Sequence, residues 1–215
     1  MLRLTVLLIF FSTFLATARQ LFQRETFRAS AILELESNNL TEAIRILEQW
    51  LDYEQRSDVA HFLVAKAYLQ RYLSSGDPQD LKSADDSFKR SLDIFERNPE
   101  AFYWWANLAK ISARMNGDLA GYKKYIQRMH KACQWDPNNY YYYSIYFESL
   151  MGFLRDLSYL RNPLPEKTIE NEIAFALQNY MRLKSYYSKE YAELLRAHFD
   201  EVKQQEILGE HFESR

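Results

Sequence analysis

The sequence predicts an all-α protein, an α-solenoid of antiparallel helix hairpins, and three observations support this fold class. Apolar residues recur at three- and four-residue steps from Thr26 onward, which is typical of helices with one buried face. The chain has only 5 Gly and 5 Pro among 215 residues, too few for the many turns of a β-sandwich or barrel. The third observation is a regular spacing of hairpin-sized units, described below.

Composition and charge exclude several classes of protein. Apolar residues make up 47% and charged residues 26%, so the chain is neither a disordered tail nor a polytopic membrane protein. A formal net charge of −2 lacks the basic excess of nucleic-acid binders, and we expect no nucleic-acid partner. The single cysteine, Cys133, excludes an internal disulfide. Because the glycines stand alone, no phosphate-binding loop exists, and we expect no cofactor. The four histidines are far apart in the sequence and there is only one cysteine, so we also expect no metal.

Residues 1–18 form a predicted targeting segment. An apolar run extends from Leu4 to Ala18, which is the length of a signal-peptide core and short of the roughly 20 residues that span a bilayer. Ala16 and Ala18 form a small-x-small pattern that signal peptidase can cut before Arg19. The alternatives are a retained membrane anchor and a buried first helix. If the segment is a cleaved signal or a retained anchor, we expect the protein to be exported or membrane-anchored, at the extracytoplasmic face of a membrane, in the periplasm or secreted.

Residues 19–139 are predicted to form three hairpins. On the first helix Phe27, Ala31 and Leu35 lie at four-residue steps, and the asparagines that follow it tolerate left-handed backbone conformations. Clusters of turn residues or prolines separate the helices, at 37–39, 74–78, 98–99, 116–118 and 136–139.

The second helices of these hairpins show a constant spacing. The residues that open their inner stripes are Ala43, Ala84 and Tyr125, which are 41 residues apart in both steps. A stack of hairpins predicts such a spacing, and a single irregular bundle does not.

Several short patterns recur within the hairpins. The third hairpin has Trp105 followed by Leu108-Ala109, and it closes with KACQWDPNN at 131–139. The second hairpin has Val64-Ala65, Tyr68, Ala84, Phe88 and Pro99. The first hairpin has Phe27, Ala31, Ala43 and Leu47. These patterns resemble the tetratricopeptide repeat, although the units are longer than the roughly 34 residues usual for that family. The resemblance implies stacked hairpins that bind a partner protein in a concave groove.

Residues 140–215 are predicted to form a fourth, degenerate hairpin and a capping helix. One long helix is expected over 140–160 and a second over 166–187, separated by the two prolines of 161–165. A final helix from 188 to about 208 has one apolar stripe and charges elsewhere, as the exposed end of a solenoid requires.

Two aromatic runs, 102–105 and 140–143, begin the first helices of the third and fourth hairpins. Four consecutive helical residues point in every direction, so some of these side chains must face the groove or solvent, where Tyr and Trp are good anchors. The alternative is that they fill gaps between long repeats. Trp105 occupies a core position of the resembled repeat. The candidate partner-binding residues are Tyr103, Trp104, Tyr140, Tyr141 and Tyr142.

The sequence shows no convincing catalytic site. Cys133 lies three residues after His130, but its position in the resembled repeat belongs to a small core residue. His198 and Glu201 could share one helix face, and a solvent-edge helix explains them equally well. Asp85 and Asp86 are predicted to form a solvated face, since adjacent helical residues diverge by about 100°. We therefore expect that the protein is not an enzyme.

The predicted function is a protein–protein interaction scaffold or assembly factor of a membrane-associated or extracytoplasmic complex. The partner would bind in the concave, aromatic-rich groove. Two alternatives remain open: a permanent structural subunit of a membrane protein assembly, and an enzyme whose site lies in residues 140–215.

Overall fold

A computed structural model describes residues 2–116, 119–157 and 166–183 of the chain. In these ranges the protein consists of eight α-helices without a β-strand, which confirms the predicted all-α fold. The predicted capping helix, the break at 161–165 and part of the turn at 116–118 lie outside the described residues. The helices are α1 (Leu2–Glu36), α2 (Leu40–Tyr53), α3 (Asp58–Ser75), α4 (Pro78–Ile94), α5 (Pro99–Asn116), α6 (Leu119–Trp135), α7 (Tyr140–Leu157) and α8 (Glu166–Leu183).

Local chemistry explains where several helices begin and end. Asn38 has a φ of 59° in the turn after α1, as its tolerance of left-handed backbone predicted. Gly76 has a φ of 73° and caps the C-terminus of α3. Ser57 caps the beginning of α3 by accepting a hydrogen bond from the backbone N–H of Ala60, and Asp77 caps α4 in the same way.

The chain divides into two compact units, Met1–Leu108 and Ala109–Arg215. In the first unit α1 packs on α2, α2 on α3, and α3 on α4. The α3–α4 hairpin is held by Phe62 against Phe88, with ring centroids 6.3 Å apart, and by an ion pair between Arg71 and Asp80. Small residues such as Ala31 on α1 are fully buried in the core of the first unit.

The second unit is built around α6, α7 and α8. Tyr125 lies fully buried against Phe153, at 5.1 Å between ring centroids, and against Tyr146 at 6.1 Å. Helices α5 and α6 approach closely at Gly121, where an added Cβ would lie 2.7 Å from the Cβ of Ala113. The inner face of α8 is buried along its length, at Ile169, Ile173, Ala176, Leu177 and Tyr180.

The constant spacing noticed in the sequence marks one kind of position in three helices. Ala43, Ala84 and Tyr125 are each 0% exposed, on α2, α4 and α6 respectively. Each second helix of a hairpin therefore buries the residue that opens its inner stripe. The boundaries drawn at 18/19 and 139/140 stay predictions.

Helix α1 runs without interruption from Leu2 to Glu36, across the predicted cleavage position. Its residues 11–22 are all exposed, with large apolar side chains at Phe11, Phe14, Leu15, Leu21 and Phe22. Within the described ranges, no helix combines the length and the hydropathy needed to cross a membrane.

Candidate partner-binding face

A cleft of about 580 Å³ is lined by α1, α3 and the beginning of α5, which are the first helices of successive hairpins. On α1 and α3 the lining residues lie at helical spacing, so that one stripe of each helix faces the cleft. The apolar lining residues are Ile32, Leu35, Val59, Phe62 and Leu63. The polar lining residues are Arg28, Glu36, Lys66, Gln70, Asn98 and Glu100.

The α3–α5 side of the cleft is joined by a polar and aromatic cluster. Lys66 Nζ lies 3.3 Å from Glu100 Oε1 and 4.8 Å from the ring centroid of Trp104. Trp104 Nε1 donates to the same carboxylate oxygen at 3.3 Å, and Tyr103 packs edge-on against the indole at 5.5 Å. Two of the candidate residues, Tyr103 and Trp104, are thus half-buried beside the cleft.

The second aromatic run belongs to the other unit and divides into an exposed and a buried half. Tyr140 and Tyr141, at the beginning of α7, are 50% and 52% exposed. Tyr142 is only 7% exposed, so we correct its assignment from anchor to core residue. Tyr143 is buried as well, and its hydroxyl donates to the backbone carbonyl of Cys133 at 3.4 Å.

Trp105 is half-buried and bridges α5 to α4. Its Nε1 donates to Asp85 Oδ1 at 2.6 Å. Asp85 is half-buried beneath this bond, a contact that the prediction of a solvated face did not include, while Asp86 is exposed as expected. The two carboxylates have different surroundings because they point to different sides of α4.

The cysteine and histidine that could support catalysis are buried or held by neighbouring side chains. Cys133 is fully buried, and burial raises the pKa of its thiol to about 12, so it stays protonated and unreactive near neutral pH. His130 lies 3.3 Å from the carboxylate of Glu172 and stacks on Phe175. Within the described ranges no group of three metal-ligating side chains occurs, and the predicted pair His198 and Glu201 lies outside them.

Sequence reasoning missed the cleft residues of α3 and α5. Phe62, Lys66 and Gln70 lie four residues apart, which is a recognisable helical stripe, but nothing local shows that it faces a cleft. The contact between Lys66 and Glu100 joins residues 34 positions apart in the sequence.

No protein-family model matches the chain, and no curated protein matches its sequence. Solved structures do resemble it. YrrB, described as a TPR protein with an unusual peptide-binding site, superposes with a TM-score of 0.56 at 14% identity, covering 85% of this chain and 81% of its own. TTC0263, a TPR protein of Thermus thermophilus, gives 0.54 at 11% identity, covering 88% and 90%. PilF of Pseudomonas aeruginosa gives 0.57 at 17% identity, covering 87% and 74%.

The chain has the tetratricopeptide-repeat fold. Identities this low establish the fold and leave the function to be argued from this chain's own residues. In terms of the tetratricopeptide repeat, the cleft lies on the face formed by the first helices of the hairpins, and Trp104 and Tyr103 lie at its edge.

Proposed function

We propose that the protein is a non-enzymatic scaffold that binds a partner protein on the face formed by α1, α3 and α5. The cleft carries this proposal, because its most buried lining residues, Phe62 and Leu63, are apolar, whereas its charged lining residues Arg28, Glu36 and Glu100 are exposed. Protein interfaces have the same anatomy, with an apolar core inside a polar rim. The description of YrrB as a TPR protein with a peptide-binding site also supports it.

Trp104 and Tyr103 are the proposed aromatic anchors of this face. Both keep part of their surface accessible, while the bond to Glu100 and the mutual ring contact fix their orientation. A preoriented aromatic side chain loses little entropy on binding, which favours it as an interface hot spot. Tyr140 and Tyr141 are proposed as further contact residues in the second unit, because about half of each remains exposed.

We further propose that the partner belongs to a membrane-associated or extracytoplasmic complex. The support is the apolar segment at 1–18 together with the large apolar side chains of Phe11, Phe14, Leu15, Leu21 and Phe22, which are exposed along one stripe of α1. The mass of the intact protein from its native host tests this. Loss of residues 1–18 would support export, and a full-length species that requires detergent would support an anchor. A full-length species soluble without detergent would contradict both.

The binding proposal is tested by purifying the protein with its partner from native membranes and measuring the affinity of variants. Trp104→Ala should weaken binding by about 1–3 kcal/mol, the range of an interface hot spot. Phe95→Ala is the control, since Phe95 is an aromatic residue that is 49% exposed, follows the last residue of α4 and does not line the cleft. Equal affinities for the two variants, at equal thermal stability, would contradict a role of this face.

A further inference from the structure

Helix α6 differs from the other helices in its charge. Among the eight described helices, α6 alone contains no Asp or Glu, although acidic residues outnumber basic ones in the whole chain, 29 to 27. The cationic residues of this helix are Lys123, Lys124, Arg128 and Lys131, with His130 beside them. Positive charge is therefore concentrated on one helix of a chain whose formal net charge is −2.

The basic residues lie on one face of α6, opposite its contact with the core. Tyr125 and Met129, on the buried side, are both 0% exposed. Six residues of α6 are exposed, and they are only Lys, Gln or Ala: Ala120, Lys123, Lys124, Gln127, Lys131 and Gln134. Their spacing places them on one side of the helix, and the half-buried Arg128 borders them. We call Lys123, Lys124, Arg128 and Lys131 the basic face, which spans about 12 Å along the helix axis.

The lysines of the basic face are not neutralised by neighbouring carboxylates. Across residues 2–116, 119–157 and 166–183, none of these three lysines forms an ion pair. His130, at the edge of the face, is by contrast held by Glu172 of α8 at 3.3 Å. Like charges four residues apart, as at Lys124 and Arg128, repel each other and weaken a helix. The arrangement does not stabilise α6, and it becomes favourable beside an anionic surface.

The composition of the basic face favours a bilayer surface over a folded acidic protein. Three of its four charges are lysines, whose flexible and strongly hydrated ammonium groups act as point charges, whereas recognition of a carboxylate in a fixed geometry favours arginine. Clusters of four to eight basic residues on an amphipathic helix are typical of sites for anionic phospholipids. The apolar segment at 1–18, if it holds the chain at a membrane, supplies that bilayer at a high effective concentration.

We propose that α6 docks on a bilayer that contains anionic phospholipids, and that its basic face contacts the headgroup phosphates. Each Lys or Arg close to such a surface raises the affinity on the order of fivefold. This inference rests on the proposed membrane association, which it deepens by naming the lipid class and the contacting surface. It gives α6, the second helix of its hairpin, a role separate from that of the cleft on the first helices.

The first test measures how accessible the lysine amines are in the full-length chain. The protein is added to vesicles of phosphatidylcholine, either alone or with about one-third phosphatidylglycerol, and brief acetylation with mass spectrometry gives the rate at each lysine. The anionic vesicles should slow Lys123, Lys124 and Lys131 by at least about threefold relative to the neutral ones. Lys82 and Lys89, which are exposed on α4, are internal controls whose rates should stay equal. NaCl at about 0.5 M should remove the protection, because salt screens the attraction.

The second test removes the charges and measures partitioning into anionic relative to neutral vesicles by co-sedimentation. Changing the three lysines of the basic face to Gln should lower this ratio about 50–100-fold. The matched control changes Lys82, Lys89 and Arg90 to Gln, which removes the same net charge from exposed positions of α4 and should lower the ratio less than about threefold. Equal losses in the two variants would show that only net charge matters, and this would overturn the inference.

The possible failures are distinguishable. If the protein binds both kinds of vesicle and the lysines of α6 react equally on each, the inference is overturned and the proposed membrane association stands. If it binds neither, the inference is also overturned, and the intact mass from the native host decides the membrane association separately. Protection of these lysines by a polyglutamate peptide but not by anionic vesicles would assign the basic face to an acidic protein instead.

Discussion

The ion pair between Arg71 and Asp80 gives the sharpest test of how the α3–α4 hairpin is held together. Arg71 donates from Nε to Asp80 Oδ2 at 2.8 Å and from its terminal nitrogen to Oδ1 at 2.6 Å. This hydrogen-bonded pair raises the pKa of the guanidinium, with the bond to Asp80 as the largest cause. Asp80 is 3% exposed, so Asp80→Asn removes a buried charge while keeping its shape. We expect this substitution to destabilise the protein.

The magnitude follows from the burial of the two partners. Breaking a fully buried ion pair costs about 3–5 kcal/mol, because it leaves one charge without compensation. The side chain of Arg71 is 32% exposed, so water reaches the guanidinium and reduces that penalty. Asp80 also lies in the first turn of α4, where a negative charge is worth about 0.3–1 kcal/mol. We therefore expect Asp80→Asn to cost about 2–3 kcal/mol of unfolding free energy.

Urea unfolding of the full-length chain measures this cost, with Arg71→Met and the double variant completing a cycle. The double variant should be more stable than the sum of the single losses predicts, by about 1–2 kcal/mol. Asp93→Asn is the control, because Asp93 is an exposed carboxylate on the same helix and should change stability by less than about 0.5 kcal/mol. A cost for Asp80→Asn equal to that control, or additive single losses, would refute the reasoning.

Three further predictions concern single residues. Gly121→Ala should lower the unfolding free energy by about 1–3 kcal/mol, because the added Cβ would lie 2.7 Å from that of Ala113. Gly152→Ala meets nothing closer than 3.8 Å and should raise the unfolding free energy by about 0.5–1 kcal/mol. Thermal unfolding measures both, and equal effects would contradict the close approach at Gly121. Burial lowers the pKa of His61 below its ordinary 6.5, so the unfolded chain binds the proton first as the pH falls below that value. Stability should therefore decrease below pH 6.5, and less so in His61→Gln; parallel pH profiles for the two proteins would rule this out. The thiol of Cys133, with a pKa near 12, should react with iodoacetamide at pH 8 about 1000-fold more slowly than in the unfolded chain, and rapid labelling of the folded protein would show that the site opens.

The sequence was sufficient to predict the helices and their turns, because those signals are local. Apolar spacing, the left-handed tolerance of Asn38 and the breaker at Gly76 depend on neighbouring residues only. The burial of Ala43, Ala84 and Tyr125 followed from their constant 41-residue spacing, which a stack of hairpins predicts.

The candidate site was predicted less completely, since it depends on contacts between distant residues. A run of four tyrosines shows that some must be exposed, but the rotation of α7 decides which ones. Contacts such as that of Tyr143 with the carbonyl of Cys133 fix this rotation and bury Tyr142. Likewise, nothing near Asp85 in the sequence indicates that the indole of Trp105 would bind it.

The continuity of α1 gives the first unit a mechanical property. Its 35 residues make a rod about 52 Å long, whereas the 14 residues of α2 cover about 21 Å. The first half of the rod, before residue 23, contains the exposed apolar residues 11–22, and the second half supplies Ile32 and Leu35 to the cleft. Because no break separates them, whatever holds the first half also sets the direction in which the α1 wall of the cleft points.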